Sequence, residues 1–225
     1  MAGTVVFDLD GTLADTSGDL IAAANACFQG RGLGALLDPV ADALIAFHGG
    51  RAMLRAGYAR MGSEILLPPG AEDEDYPRLL DHYADGIAHH TRLYPGAEAA
   101  LDRLAEAGHR LAVCTNKPEG LAEILLKELG IRDRFAAMIG ADTLPVRKPD
   151  PRPYAAAVEG AGGEIARSFL VGDTETDRKT AAAAGVRVAL VAFGPEGEAL
   201  SRLAPEAMLA HFDDLPALAE DWLGA

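Results

Sequence analysis

Sulfur and positive charge are scarce in this chain. It has two cysteines, Cys27 and Cys114, far apart and in apolar surroundings. They make neither a disulfide framework nor the ligand spacing of a zinc site, so both are expected as buried free thiols in a reducing cytoplasm. Lysine and arginine together number 20 against 34 acidic residues, a net charge of −14. This argues against a nucleic-acid binder or a ligand of anionic membranes, both of which need a basic face. An anionic substrate would need local positive groups to overcome the overall field. No apolar run approaches the roughly 18 residues of a membrane span. The opening "MAGTVVFDLDG" has neither a basic region nor a long apolar stretch, so no secretory leader is expected. No internal repeat occurs, and no low-complexity tract beyond an alanine bias. What is present is ordinary for a globular protein: 225 residues, 49% apolar and 24% charged, enough for one large domain or two smaller ones.

"TVVFD" (4–8) reads as a strand, and "DGT" follows it. From about 18 to 91 the pattern is helical: Leu20, Ile21, Ala24 and Phe28 recur at helical spacing, and further helices are expected over 39–47, 51–62 and 75–90. "PPGAEDED" (68–75) reads as an acidic exposed connector, and no strand is evident in this block. After "LYPG" (93–96) short apolar runs alternate with helices. Strands are expected at 110–115, 136–140, 168–173 and 187–193, and helices at 97–107, 119–129, 151–161 and 175–184. Such alternation means right-handed crossovers and a mainly parallel sheet with helices on both faces. The strand at 4–8 cannot stand alone and joins that sheet. The expected architecture is therefore a Rossmann-like α/β core, residues 1–16 and 92–225, with a helical cap, 17–91, inserted after the first strand. "HFDDLPALAEDWLGA" reads as a closing helix with Asp213 or Asp214 as its N-cap and Trp222 packed on the core.

In open α/β sheets ligands bind at the carboxyl ends of the strands. Polar residues fall at those ends here. The first strand ends in Asp8, with Asp10 beyond it; the second in Thr115 and Asn116; a later one in Gly172 and Asp173, with Asp177 four residues on. "VRKPDP" places Lys148 at the entrance to a helix. Each has a plainer reading alone: turn acids, helix caps, a solvated lysine. Their convergence on one edge of the sheet argues for a common site.

These residues carry a resemblance. "DLDGTLADT", "VCTNK", "KPDP" and "GDTETD" occur in the order and at the spacing of the four motifs of the haloacid dehalogenase superfamily of phosphotransferases. The insert between the first two motifs resembles the helical-cap branch. "LYPGAEAALDRLAEAGHRLAVCTNKP" and "GADTLPVRKPDPRPY" are similar to the phosphoglycolate phosphatase group.

The resemblance implies a Mg²⁺-dependent phosphatase. Asp8 would be the nucleophile that forms an aspartyl-phosphate, and Asp10 the general acid and base. Mg²⁺ would take the Asp8 carboxylate, the Asp10 backbone carbonyl and the Asp173 carboxylate, with Asp177 further out or bound through water. Thr115, Asn116, Lys148 and backbone N–H groups near Leu9 and Gly11 would position phosphate. In the cap, "FHGGRAML" (47–54) resembles a specificity loop, from which His48 and Arg51 would reach a substrate carboxylate. The expected partner is a small phosphorylated metabolite, with no nucleic acid or membrane, and the expected state a monomer or homodimer. A sugar-phosphate mutase, a non-enzymatic phosphoacceptor and an inactive binding module on the same fold are the competing readings. The acid at Asp10 favours phosphoryl chemistry over dehalogenation.

Overall fold

The computed structural model describes residues 2–61 and 69–224. The chain divides into two compact units, Met1–Asp15 with Leu93–Ala225, and Thr16–Arg92. Its elements run β1 (Thr4–Phe7), β2 (Ala14–Asp15), α1 (Ser17–Gly30), α2 (Ala43–Ala46), α3 (Gly50–Tyr58), α4 (Ala71–Asp85) and β3 (Arg92–Leu93). Then come α5 (Ala97–Glu106), β4 (Arg110–Cys114), α6 (Glu119–Glu128), β5 (Ala137–Ile139), α7 (Pro151–Gly160) and β6 (Ser168–Gly172). The last are α8 (Glu175–Ala184), β7 (Arg187–Val191), β8 (Ala207–Leu209) and α9 (Leu215–Leu223), with short 3₁₀ turns between.

In the first unit six strands form one parallel sheet in the order β5–β4–β1–β6–β7–β8. Val5, Val6 and Phe7 of β1 are fully buried. A strand buried on both sides needs cover on both faces, which explains its unbroken apolar run. Helices supply the cover. α7 and α8 pack on each other and on the sheet, and α5 packs on β4 and α9. This is the expected α/β class. β1 pairs with β4 and β6 in step, Phe7 opposite both Val113 and Val171. The carboxyl ends of the three central strands are therefore level, and the chain runs from β1 outward to β4 and β5 but from its neighbour β6 outward to β7 and β8 on the other side, the reversal of strand order at which a ligand crevice forms.

The closing helix is present as α9, and Trp222 meets Phe169 edge-on at 4.9 Å between ring centroids. Asp214 occupies the N-cap position without a capping side-chain bond. Both cysteines are buried free thiols. β8 was not expected: its three residues are too few for a two-residue alternation to register.

In the second unit α1 packs on α4 and α3. A Cβ at Gly57 would lie 2.2 Å from the Phe28 ring, so this glycine lets α3 approach α1. Asp19 accepts from the His90 and Thr91 backbone N–H groups and, at 2.7 Å, from the Thr91 hydroxyl. Asp75 is buried and bound by Arg31 at 2.5 and 2.9 Å, by Arg78 at 2.9 Å, and by the Tyr58 hydroxyl.

Four expectations in this unit are corrected. The acidic stretch after Gly70 is the first turn of α4, not a connector, because Glu72, Asp73 and Glu74 face the positive end of the helix dipole. Pro68 lies outside the described residues, as does the last residue of the helix expected over 51–62, but that helix already stops at Tyr58, with Ala59 as its C-cap. The helix expected over 39–47 shrinks to α2 because Asp38 accepts from the Val40 and Ala41 N–H groups, holding a turn there instead. The helix expected at 75–90 ends at Asp85, with Gly86 as its C-cap, before His89 and His90.

Candidate active site

β1 delivers Asp8 to the carboxyl edge of the sheet, where its N–H donates to Val171 O at 2.9 Å. The chain then turns tightly. The Leu9 carbonyl accepts from the N–H groups of Thr12, Leu13 and Ala14, and Gly11 takes φ +80°, a conformation that glycine adopts without strain. The same turn commits the amides expected to bind phosphate. Leu9 N–H donates to Asp8 Oδ1 at 2.8 Å, and Gly11 N–H donates to Ala14 O at 2.9 Å.

Lys148 is the centre of charge. Its ammonium lies 3.0 Å from Asp8 Oδ2 and 2.7 Å from Asp177 Oδ1, with the side chain 1% exposed. A buried lysine ordinarily loses its proton. Burial does oppose the Lys148 charge, but Asp177 and Asp8 outweigh it and hold the ammonium above the ordinary lysine range.

Asp173 follows β6. Its Oδ1 accepts from the Thr12 hydroxyl at 2.7 Å. Thr12 was not expected to have a role, although the threonine of "DGT" was the available signal. Asp177 completes a capping box with Thr174 at the start of α8. Its Oδ2 accepts from Asp173 N, Thr174 N and the Thr174 hydroxyl. A Cβ at Gly172 would stand 2.4 Å from Asp177 Cγ, so a glycine is required where β6 passes this carboxylate.

One oxygen from each of Asp8, Asp173 and Asp177 falls within 4.8 Å of the others, an acidic cluster able to hold a cation. Burial pushes the Asp8 carboxyl up to about 6, with Lys148 opposing and Asp177 adding to the rise. Burial, then Asp8 and Asp177, lift Asp173 well above the carboxylate range. With all three carboxyls ionised, one ammonium would leave two negative charges uncompensated within the cluster. A hard divalent cation with oxygen ligands matches both the charge and the donor set. Asp177 is the most heavily engaged of the three, with Oδ1 on Lys148 and three donors on Oδ2, whereas Asp8 meets Leu9 N–H and Lys148, and Asp173 meets Thr12.

Immediately after β4, Thr115 is buried, and its hydroxyl accepts from Lys117 N at 3.2 Å. Asn116 Nδ2 donates to Lys148 O at 3.0 Å, tying the two loops together. Lys117, which sequence reasoning passed over, ion-pairs with Asp10 at 2.9 Å and is 4% exposed. Its signal was its place two residues after the strand-end threonine.

His48 and Arg51 belong to the helical unit. Arg51 Nε donates to Asp73 Oδ1 at 2.6 Å, and its guanidinium lies 3.8 Å from the Tyr76 ring centroid. His48 is exposed. The paired glycines between them are structural: Gly49 takes φ +92°, and a Cβ on Gly50 would lie 2.9 Å from the Tyr76 ring.

Comparison with known proteins gives a consistent result. The family described as haloacid dehalogenase-like hydrolase matches residues 5–191. The phosphoglycolate phosphatase of Mesorhizobium japonicum is 40% identical over 94% of this chain and 92% of its own length. That of Rhodospirillum rubrum is 39% identical over 100% of this chain and 92% of its own. A crystal structure described as a predicted phosphoglycolate phosphatase from Haemophilus somnus superposes with a TM-score of 0.84 at 24% identity, covering 96% of this chain and 97% of its own.

Proposed function

The chain belongs to the haloacid dehalogenase-like hydrolases as a phosphoric monoester hydrolase of their phosphoglycolate phosphatase-like group, and we propose that it is a Mg²⁺-dependent phosphatase acting on phosphoglycolate or a closely similar small ester through an aspartyl-phosphate. The observation that carries this reading is Asp8. It stands at the carboxyl end of the central strand, ion-paired to the buried Lys148 and beside Asp173.

In the proposed reaction an Asp8 oxygen attacks phosphorus, and the bond to the ester oxygen breaks. Asp10 gives its proton to the departing alkoxide. A water then attacks the phosphoenzyme and loses a proton to Asp10, and the Asp8 carboxylate is regenerated. Lys148, the Thr115 hydroxyl and the Asn116 backbone hold the phosphoryl oxygens. Asp8, the Asp10 carbonyl and Asp173 would hold Mg²⁺, with Asp177 behind them and Thr12 orienting Asp173. The ion would neutralise the crowded carboxylates and the charge on the transferring group.

The helical unit is proposed as the cap that selects the substrate, with Arg51 and His48 as readers of its carboxylate. Arg51 must then exchange Asp73 for substrate. Two buried thiols suit a reducing compartment such as the cytoplasm, and no helix among the described residues is long and apolar enough to cross a membrane.

Phosphate release from a panel of small esters, with Mg²⁺ and with EDTA, tests the proposal. Mg²⁺-dependent release that favours phosphoglycolate supports it. Release unaffected by EDTA removes the metal, and release only in the presence of a sugar bisphosphate points to a mutase.

A further inference from the structure

We propose that Lys117 is a positioning residue that holds the Asp10 carboxylate in its working orientation. The proposal rests on the reading of Asp10 as the proton-transfer group. Asp10 lies within the tight turn after β1 and its side chain is 20% exposed, so the turn alone does not fix its rotamer. Lys117 does. Its ammonium donates to Asp10 Oδ1 at 2.9 Å and to Oδ2 at 3.2 Å, so one cation engages both oxygens.

The lysine is itself held at both ends of its backbone unit. Its N–H donates to the Thr115 hydroxyl at 3.2 Å, and its carbonyl accepts from Ala141 N at 2.9 Å. A long side chain anchored this way, with its head 4% exposed, loses little further freedom when it binds a carboxylate. The contact joins positions separated by 107 residues and links the β1 and β4 loops across the sheet edge.

The geometry also separates the two lysines of the site. Lys148 serves the cluster of Asp8 and Asp177, whereas Lys117 serves Asp10. Removing Lys117 should therefore harm only what Asp10 does. An alkoxide leaving group needs a proton in the transition state and p-nitrophenolate does not. Misplacing the proton donor costs on the order of 10²-fold.

The experiment measures kcat/KM for phosphoglycolate and for p-nitrophenyl phosphate in the wild type, Lys117→Met, Lys117→Arg, Asp10→Asn and the double variant Asp10→Asn/Lys117→Met. This ratio reports the steps through loss of the leaving group and not the later hydrolysis of the phosphoenzyme. Lys117→Met is expected to lose about 10²-fold on phosphoglycolate and less than about 5-fold on p-nitrophenyl phosphate, with Lys117→Arg recovering part of the loss. In the Asp10→Asn background the same change should cost nothing further, because residues acting through one group are not additive. Equal losses on both esters, or losses that multiply in the double variant, would overturn the proposal. So would wild-type kinetics in Lys117→Met. If Asp10→Asn alone shows no preference between the two esters, the reading of Asp10 fails instead. A thermal melt of each variant identifies any loss due to misfolding, and Lys117→Arg, which keeps the cation, then carries the comparison.

Discussion

At the scale of single residues, the site concentrates unfavourable charge for a purpose. Asp8 and Asp173 carry carboxyls raised by burial and mutual repulsion, balanced only in part by Lys148. Asp8→Asn should therefore abolish phosphate release, by about 10⁴-fold or more, without loss of the fold. Circular dichroism and a melt in EDTA check the second half: the melting temperature should be unchanged or higher, because one repelling charge is gone. Gly172 is constrained by steric contact rather than charge. A methyl there would press on Asp177, whose two oxygens are tied to Lys148, Asp173 and Thr174. Gly172→Ala should cost about 1–3 kcal/mol in a urea titration. It should also weaken the response to Mg²⁺, since Asp173 shares a hydrogen bond with the displaced carboxylate.

At the scale of elements, α1, α3 and α4 depend on one buried acid. Asp75 on α4 is reached by Arg31 from the end of α1, by Tyr58 from α3 and by Arg78 one turn along its own helix. Breaking a buried pair leaves uncompensated charge, so Asp75→Ala should destabilise the helical unit by about 3–5 kcal/mol, read by urea unfolding. Arg51 tests the substrate-selecting role proposed for these helices. Arg51→Ala should raise KM for phosphoglycolate by about 10-fold and leave p-nitrophenyl phosphate nearly unchanged, as expected for the loss of one ion pair to a carboxylate. Equal effects on both substrates would confine Arg51 to its contacts with Asp73 and Tyr76. The acid-rich start of α4 was misread because its charge suggests solvent, and charge alone does not separate a loop from a first helical turn.

At the scale of the whole molecule, each compact unit holds one buried thiol, Cys27 in the helical unit and Cys114 in the α/β unit. Burial raises Cys27 from 9.0 to about 11 and Cys114 from 9.0 to about 12. Above pH 9 the unfolded chain gives up thiol protons that the native chain keeps. Their contribution is thus complete at lower pH and is lost as pH rises toward 11 and 12, by up to about 1.4 kcal/mol per pH unit for each thiol. Urea midpoints should fall between pH 8 and 10.5, and less so in a Cys114→Ser variant. At pH 8 neither thiol should react with a disulfide reagent until denaturant is added, and Cys27, in the smaller unit, should react first.

By itself the amino-acid sequence determined the parallel α/β class, because strand-length apolar runs alternating with capped helices allow few other packings. It also determined that Asp8 and Asp173 stand at strand ends and Lys148 at the entrance to a helix, since all three are placed by local chain punctuation. It could not reveal partnerships across the fold. Thr12 with Asp173, Asn116 with the Lys148 carbonyl, and Lys117 with Asp10 each join residues far apart in the chain. Nor could it reveal that Arg51 is held by Asp73 or that the Gly11 amide is spent inside its own turn. Periodicity and motif spacing are one-dimensional signals that register which face a residue takes. Which oxygen meets which ammonium depends on strand register and loop closure, and only the tertiary structure decides those.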